Sequence, residues 1–177
     1  VLVTGAAGGV GSVAVAVLAK LGYKVAASTG RPELGGYLRS LGAAEILDRN
    51  TLTAPSKRAL DSERWAGAVD SVGGDTLAAV VRGLVANGSV AACGVAGGAA
   101  LNTTVFPFIL RGVNLLGINA AYVSQDDRKL MWQRLTRDLP LPLLDSMTQE
   151  APLEAVFDLG EKIIGGGVRG RVVIKIS

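Results

Sequence analysis

The chain contains no histidine and a single cysteine, Cys93. Histidine-based triads, histidine general acid–base chemistry and His/Cys zinc sites are therefore excluded within it, and no metal site is expected. A lone cysteine cannot close an internal disulfide, which fits a reducing cytoplasm. Aromatic residues make up only 5%, and the net charge of +3 is scattered among acids. No nucleic-acid partner is expected from such a surface. No apolar run reaches the roughly 18 residues of a membrane span, and no basic stretch leads into an apolar one as in a secretory leader. A membrane partner is thus not expected either. What remains is 49% hydrophobic and 19% charged over 177 residues, with a mean hydropathy of +0.39. That excludes intrinsic disorder and suffices for one domain, or one domain with an appendage. The 24 glycines show no three-residue period, so they are turn and packing residues rather than collagen. The chain opens without Met on an apolar run, Val1-Leu2-Val3-Thr4, and reads as a fragment of a longer protein.

Apolar runs alternate with helix-period segments. After Val1–Thr4, the residues Val10, Val13, Ala14, Val17, Leu18 and Leu21 recur at helical spacing, and Gly22 stops the helix. Strands are expected at 24–28, 45–48, 66–72, 89–93, 113–118 and 171–176, and further helices at 34–41, from Leu77 to Val85, at 126–137 and from Leu153 to Ile164. Residues 49–64 are polar, carry Pro55 and read as a loop with one helical turn; Pro140 and Pro142 break the helix before them. Strands alternating with helices of 10–15 residues imply right-handed βαβ units. The expected fold is α/β, a Rossmann-type doubly wound parallel sheet of about six strands with helices on both faces.

The first turn reads Thr4-Gly5-Ala6-Ala7-Gly8-Gly9-Val10-Gly11, between a strand and an apolar-faced helix. That is the context of a dinucleotide fingerprint, here Ala6-x-Gly8-x-x-Gly11. Gly8 lets backbone approach a pyrophosphate, Gly11 lets the helix pack closely, and the helix N-terminus favours negative charge. Ala6 replaces the first glycine of the pattern. The competing reading is a plain glycine-rich turn. The second strand runs into Ser28-Thr29-Gly30-Arg31, with two hydroxyls and a guanidinium where an NAD site carries an acid. A 2′-phosphate suits such a tip, so NADP(H) is expected over NAD(H). The alternative is a solvated Arg31 with Glu33 reaching the ribose. Tyr37 and Arg39 are weaker candidates to flank the adenosine. Two further strand ends carry glycine, at Asp70–Gly74, with Val72 and Gly73, and at Cys93–Gly98, with Gly94 and Val95. In an open parallel sheet these loops border the ligand, although simple turn chemistry is the rival reading. Cys93 reads as a buried small hydrophobe rather than a nucleophile.

Thr4–Gly11 also fits the T-G-x-x-G-x-x-G of extended short-chain dehydrogenases. Their Tyr-x-x-x-Lys pair is missing, because Tyr23, Tyr37 and Tyr122 are followed four residues on by Ala27, Leu41 and Asp126. The chain instead resembles the quinone-oxidoreductase-like branch of the medium-chain dehydrogenase/reductase superfamily, through VTGAAGGVGSVAVAVLAKLGYKV and YLRSLGA. Within it, STGR, WAGAVDSVGG, VAACGVAGG, FPFILRGVNLLGI, WQRL and the terminal GRVVIKI are similar to the acrylyl-CoA reductase group.

The resemblance covers essentially the whole chain. It implies a cytoplasmic, zinc-independent, NADPH-dependent reductase that delivers hydride to the β-carbon of an α,β-unsaturated acyl-CoA such as acryloyl-CoA. A GroES-like catalytic domain precedes the Rossmann domain in that group. Residues 1–140 would then be the cofactor domain, and 141–177 a helix and strand returning to the absent catalytic domain. Without that partner, the last strand is expected to pair differently or to be mobile. By the same resemblance, Thr29 and Arg31 hold the 2′-phosphate. Gly8, Gly9 and Val10 meet the pyrophosphate, Gly94, Val95 and Asn119 lie near the nicotinamide, and Arg171 reaches the cofactor. No residue here is assigned a catalytic role, and this chain alone is expected to be inactive. The apolar strand 113–118 is expected at the sheet edge, where the family dimerises. A quinone or enone reductase and a non-catalytic NADPH-binding module are the competing functions.

Overall fold

A computed structural model describes every residue except Pro55, Lys57 and Ser177. Its centre is the strand β1 (Leu2–Val3), flanked by β2 (Ala26–Thr29) and β4 (Trp65–Asp70). With β3 (Glu45–Asp48), β5 (Leu84–Ala92) and β6 (Asn114–Gly117) it forms a six-stranded sheet of order β3-β2-β1-β4-β5-β6, parallel throughout. The order reverses direction between β1 and β4, the switch point at which doubly wound sheets open a ligand crevice.

Both faces of the sheet are covered, which explains the unbroken apolar runs of the strands. Side chains alternate along a strand, so Leu2 and Val3, both fully buried, enter different cores. Val3 packs with Val15 and Ala16 of α1 (Gly9–Lys20), Leu38 of α2 (Gly35–Ser40) and Met147 of a later helix. Leu2 packs with Leu77, Val80 and Val81 of α4 (Gly74–Gly83) on the opposite face. Asp48 caps the single turn α3 (Arg49–Leu52) expected in the polar stretch, its Oδ1 accepting from the Asn50 amide at 2.9 Å. Pro55 of that stretch lies outside the described residues.

The structure departs from the sequence expectations at several places. The helix expected to reach Val85 ends at Gly83, and the strand expected from residue 89 begins at Leu84: Asn87 sits at φ +61° within β5, which pairs with β4 on both sides of it across a register shift. A short helix, α5 (Phe106–Arg111), precedes β6; Pro107 stands in its first turn, and Gly112 ends it in the left-handed conformation. Beyond α6 (Gln125–Asp138), Pro140 and Pro142 do not merely break a helix. Pro140 N-caps α7 (Leu141–Met147) and Pro142 occupies its first turn, where a missing N–H costs nothing. α7 packs on α1, and β7 (Thr148–Pro152) follows it. After α8 (Val156–Ile164), the last strand β8 (Arg171–Lys175) pairs in parallel with β7, in a two-stranded sheet separate from the main one. α8 leaves Phe157 and Ile164 largely exposed.

Candidate functional site

The turn between β1 and α1 is built on close backbone approach. Gly5 lies at φ +56°, and the Gly8 amide donates to the Gly5 carbonyl at 3.0 Å. Gly11 presses onto the same turn: a Cβ there would stand 2.6 Å from Ala6 Cα and closer still to the Gly5 carbonyl oxygen. Ala6 is fully buried, and its amide donates to the Ser28 carbonyl of β2, so an L-residue serves where the usual pattern has glycine. Ser12 donates to the Ala6 carbonyl and accepts from the Tyr37 hydroxyl at 2.8 Å, which ties α2 to the turn.

The outcome is an α1 N-terminus with Gly8 as N-cap, no side-chain cap and no acid in its first turn. Val10 is half-exposed at this terminus, and the Arg171 side chain lies against Gly9 beside it. Such a terminus carries unsatisfied N–H groups and a partial positive charge.

The switch point is locked from the other side. The buried Thr4 hydroxyl donates to Asp70 Oδ1 at 2.6 Å, and the Gly73 amide donates to Asp70 Oδ2 at 2.8 Å. The Cys93 amide donates to the Asp70 carbonyl at 2.8 Å. Three strand ends thus meet at one carboxylate-bearing residue. The two later glycine loops interlock: Gly73, at φ +72°, bridges to Gly98, and a Cβ at Gly94 would meet Ser71 backbone. Val72 wedges between Gly5 and Gly97. A cleft of about 550 Å³ follows, lined by Gly73, Cys93, Gly94, Val95, Ile118 and Asn119. Cys93 is exposed at its edge rather than buried as the sequence suggested, because β5 ends one residue before it. Its thiol is nevertheless held above its ordinary range, by partial desolvation of the sulfur and then by the nearby Asp70 carboxylate. That disfavours the thiolate a nucleophile needs.

At the other end of the crevice, the β2 tip carries buried Ser28 and Thr29, then Arg31. Ser28 Oγ has no partner among the described residues, and Thr29 Oγ1 accepts from the Arg31 amide at 3.1 Å. Glu33 stands exposed in the 3-10 turn Pro32–Leu34, and Arg39 is exposed on α2. The C-terminal segment lies across this end. Arg31 Nη2 donates to the Val168 carbonyl at 2.9 Å, and the Gly170 amide donates to the Ala7 carbonyl at 2.9 Å. The Arg169 guanidinium stacks on Tyr37, 4.5 Å from the ring centre, and Arg171 lies against Gly9. From β2 to β6 the strand ends span four interstrand spacings, about 19 Å, the scale of an extended dinucleotide.

The expected residues therefore fall into two groups along the C-terminal ends of the strands: Ala6, Gly8–Gly11, Ser28, Thr29, Arg31 and Arg171 around the β1 and β2 tips, and Val72, Gly73, Gly94, Val95 and Asn119 around the cleft at the β4, β5 and β6 tips. Sequence reasoning missed Arg49 and Arg169. Arg49 lies against Gly30. Its signal was available, since it directly follows the strand that neighbours β2 in a 3-2-1 order. Nothing local marks Arg169. A second cavity, about 520 Å³ beside β7 and β8, is lined by Glu150, Leu153 and Lys175 and carries none of these residues. Among the described residues no cluster of His, Cys, Asp or Glu could hold a metal, and no helix is long and apolar enough to cross a membrane.

Residues 9–137 match the family model of zinc-binding dehydrogenases. The chain is 54% identical over its full length to an acrylyl-CoA reductase, AcuI, of Ruegeria pomeroyi, of which it covers 54%. It is 45% identical, over 99% of its length and 54% of the relative's, to a putative quinone oxidoreductase, YhfP, of Bacillus subtilis. It thus spans about half the length of the curated relatives it matches. Among solved structures, Escherichia coli YhdH with bound NADPH superposes with a TM-score of 0.96 at 44% identity, over 99% of this chain and 54% of that one. Bacillus subtilis YhfP with NAD bound gives a TM-score of 0.92 at 44% identity, with the same coverage.

Two alanine substitutions test the close approach at the turn. Gly11→Ala must displace backbone, and is expected to cost about 1–3 kcal/mol of stability in urea unfolding. Gly36→Ala, on α2 with nothing within 4 Å of the added Cβ, is expected to be neutral or to stabilise slightly. Equal effects would contradict the packing described.

Proposed function

The chain belongs to the zinc-binding dehydrogenase family, and from that membership we propose that it is the NADP(H)-binding portion of a medium-chain reductase acting on an α,β-unsaturated acyl-CoA such as acryloyl-CoA. The observation that carries the cofactor assignment is the β2 tip, which offers Ser28, Thr29 and Arg31 and no carboxylate among them. A ribose 2′-hydroxyl calls for an acid there, and a 2′-phosphate for a guanidinium. The uncapped α1 terminus and the unpartnered Ser28 Oγ fit the same ligand. The acyl-CoA substrate is supported by the name of the relative at 54% identity. The B. subtilis relative, named for quinones, favours a quinone or enone acceptor as the second reading. A non-catalytic NADPH-binding module is the third.

When bound, the nicotinamide supplies the hydride, and the protein's part is binding and orientation. In this assignment the backbone at Gly8, Gly9 and Val10 holds the pyrophosphate, with the Arg171 charge against Gly9. Thr29 and Arg31 hold the 2′-phosphate. Gly94, Val95 and Asn119 flank the nicotinamide. Zinc does not fit these residues despite the family's name: the chain has no histidine and one cysteine, so no step is assigned to a metal. Residues 141–177 are assigned to contact a GroES-like catalytic domain, supported by the exposed apolar side chains of α8. A cytoplasmic location accords with the single unpaired cysteine.

Calorimetric titration with 2′,5′-ADP and 5′-AMP tests the assignment at the adenosine end. Preference for 2′,5′-ADP, reduced at least tenfold in Arg31→Ala, is expected; equal affinities would return the site to NAD. We also assign a homodimer formed through β6, one of the two edge strands of the sheet, where Leu116 and neighbouring Ile118 are half-exposed. Light scattering at high protein concentration is expected to give twice the chain mass, and a monomer would refute the dimer.

A further inference from the structure

We propose that Arg169 is a positioning residue for the dinucleotide, acting through Tyr37 and Ser12 on the turn between β1 and α1. The proposal rests on the dinucleotide reading above, but not on the choice between NADP(H) and NAD(H). The linkage begins inside the turn. Ser12 is fully buried on α1, and its hydroxyl has one proton to give. That proton goes to the Ala6 carbonyl at 3.3 Å, while Oγ accepts from the Tyr37 hydroxyl at 2.8 Å. The Ala6 amide in turn donates to the Ser28 carbonyl. Both peptide groups of Ala6 are thereby held, two residues before Gly8, the N-cap of α1. Tyr37 is the outer member of this chain of hydroxyls, and Arg169 lies on its ring.

Arg169 is held there against a cost. Its guanidinium stacks on the Tyr37 ring, 4.5 Å from the centre. Its Nε has no exposed area and no hydrogen-bond partner among the described residues, and its Nη2 reaches the Ser146 carbonyl only at 3.4 Å. It has no ion pair among the described residues. A buried N–H without a partner is unfavourable, so the face of Tyr37 is the interaction that keeps the side chain in place. The residues after Arg169 reach the same turn in order. The Gly170 amide donates to the Ala7 carbonyl at 2.9 Å, and the Arg171 side chain lies against Gly9. Three consecutive residues of the C-terminal segment thus bear on Ala6, Ala7 and Gly9, the first of them through Tyr37 and Ser12. The linkage is reciprocal: a ligand that favours the seated turn favours the seated segment by the same factor.

The test is calorimetric titration with NADPH and with NADH of the wild-type chain, Arg169→Met, Arg169→Lys, Tyr37→Phe and the double variant Arg169→Met/Tyr37→Phe. Tyr37→Phe keeps the ring and removes only the hydroxyl, and thermal melts verify that each variant folds. Arg169→Met is expected to weaken both dinucleotides by the same factor, about fivefold, because the turn serves both. Arg169→Lys is expected to recover part of the loss, since an ammonium also sits on a ring face. Tyr37→Phe cuts the relay, so adding Arg169→Met to it is expected to change affinity by less than about twofold. A loss confined to NADPH makes Arg169 a direct phosphate ligand and overturns the relay. Additive losses in the double variant overturn it too, as does an Arg169→Met chain that binds both dinucleotides like the wild type. In each of these outcomes the dinucleotide reading stands. A wild-type chain that binds neither dinucleotide overturns that reading and this proposal with it.

Discussion

The contact between the first turn of α1 and the backbone before it governs the rest of the molecule. Gly11 leaves no space for a Cβ against Gly5 and Ala6. Because the helix can come this close, its axis leaves the sheet at the switch point, with its N-terminus at the mouth of the crevice. Hydrogen bonds then fix that placement from three directions. Ser28 holds Ala6 through the backbone, Tyr37 holds Ser12, and Thr4 ties β1 to Asp70 on β4. An unsatisfied helix terminus is unfavourable unless water or a ligand meets it. Here the positive end of the dipole has no acid beside it and the Arg171 side chain against Gly9, a setting that favours an anion.

The C-terminal segment serves fold and site together. Gly170 at φ +60° lets backbone pass against Met147, where any side chain would clash, and its amide anchors on Ala7. The same few residues bring Arg169 onto Tyr37, Arg171 onto Gly9 and the Val168 carbonyl to Arg31. The two-stranded sheet of β7 and β8 is therefore connected to the β1–α1 turn and the β2 tip through hydrogen bonds and a cation–π contact. It is separate from the main sheet but not from the crevice.

The central fold was legible because a parallel sheet covered on both faces writes itself as apolar runs between glycine turns. The strand at 45–48 and the helices around Val15 and Val80 stand where periodicity placed them. The glycine loop was legible for a related reason, since close approach demands glycine at fixed spacing. The elements that escaped are those whose cause is not local. Pro140 and Pro142 are helix breakers in the interior and helix starters at the end, and only the packing of α7 on α1 selects the second role. Asn87-Gly88 is a turn signal that the pairing of β4 and β5 converts into a kink within a strand. Cys93 escaped by one residue, because the strand ends at Ala92 and leaves it exposed. Arg169 could not be found from its neighbours in sequence, because what places it is the crossing of the C-terminal segment over Tyr37.

The central claim is that a single crevice, from the β2 tip to the β6 tip, takes a dinucleotide. Amide chemical-shift mapping of the chain with NADPH addresses it directly. The account expects the largest shifts at Gly8–Gly11, Thr29–Arg31 and Gly94–Val95, with little change at Glu150–Leu153 beside the second cavity. Shifts concentrated at β7 and β8, with the glycine loop unmoved, would contradict it.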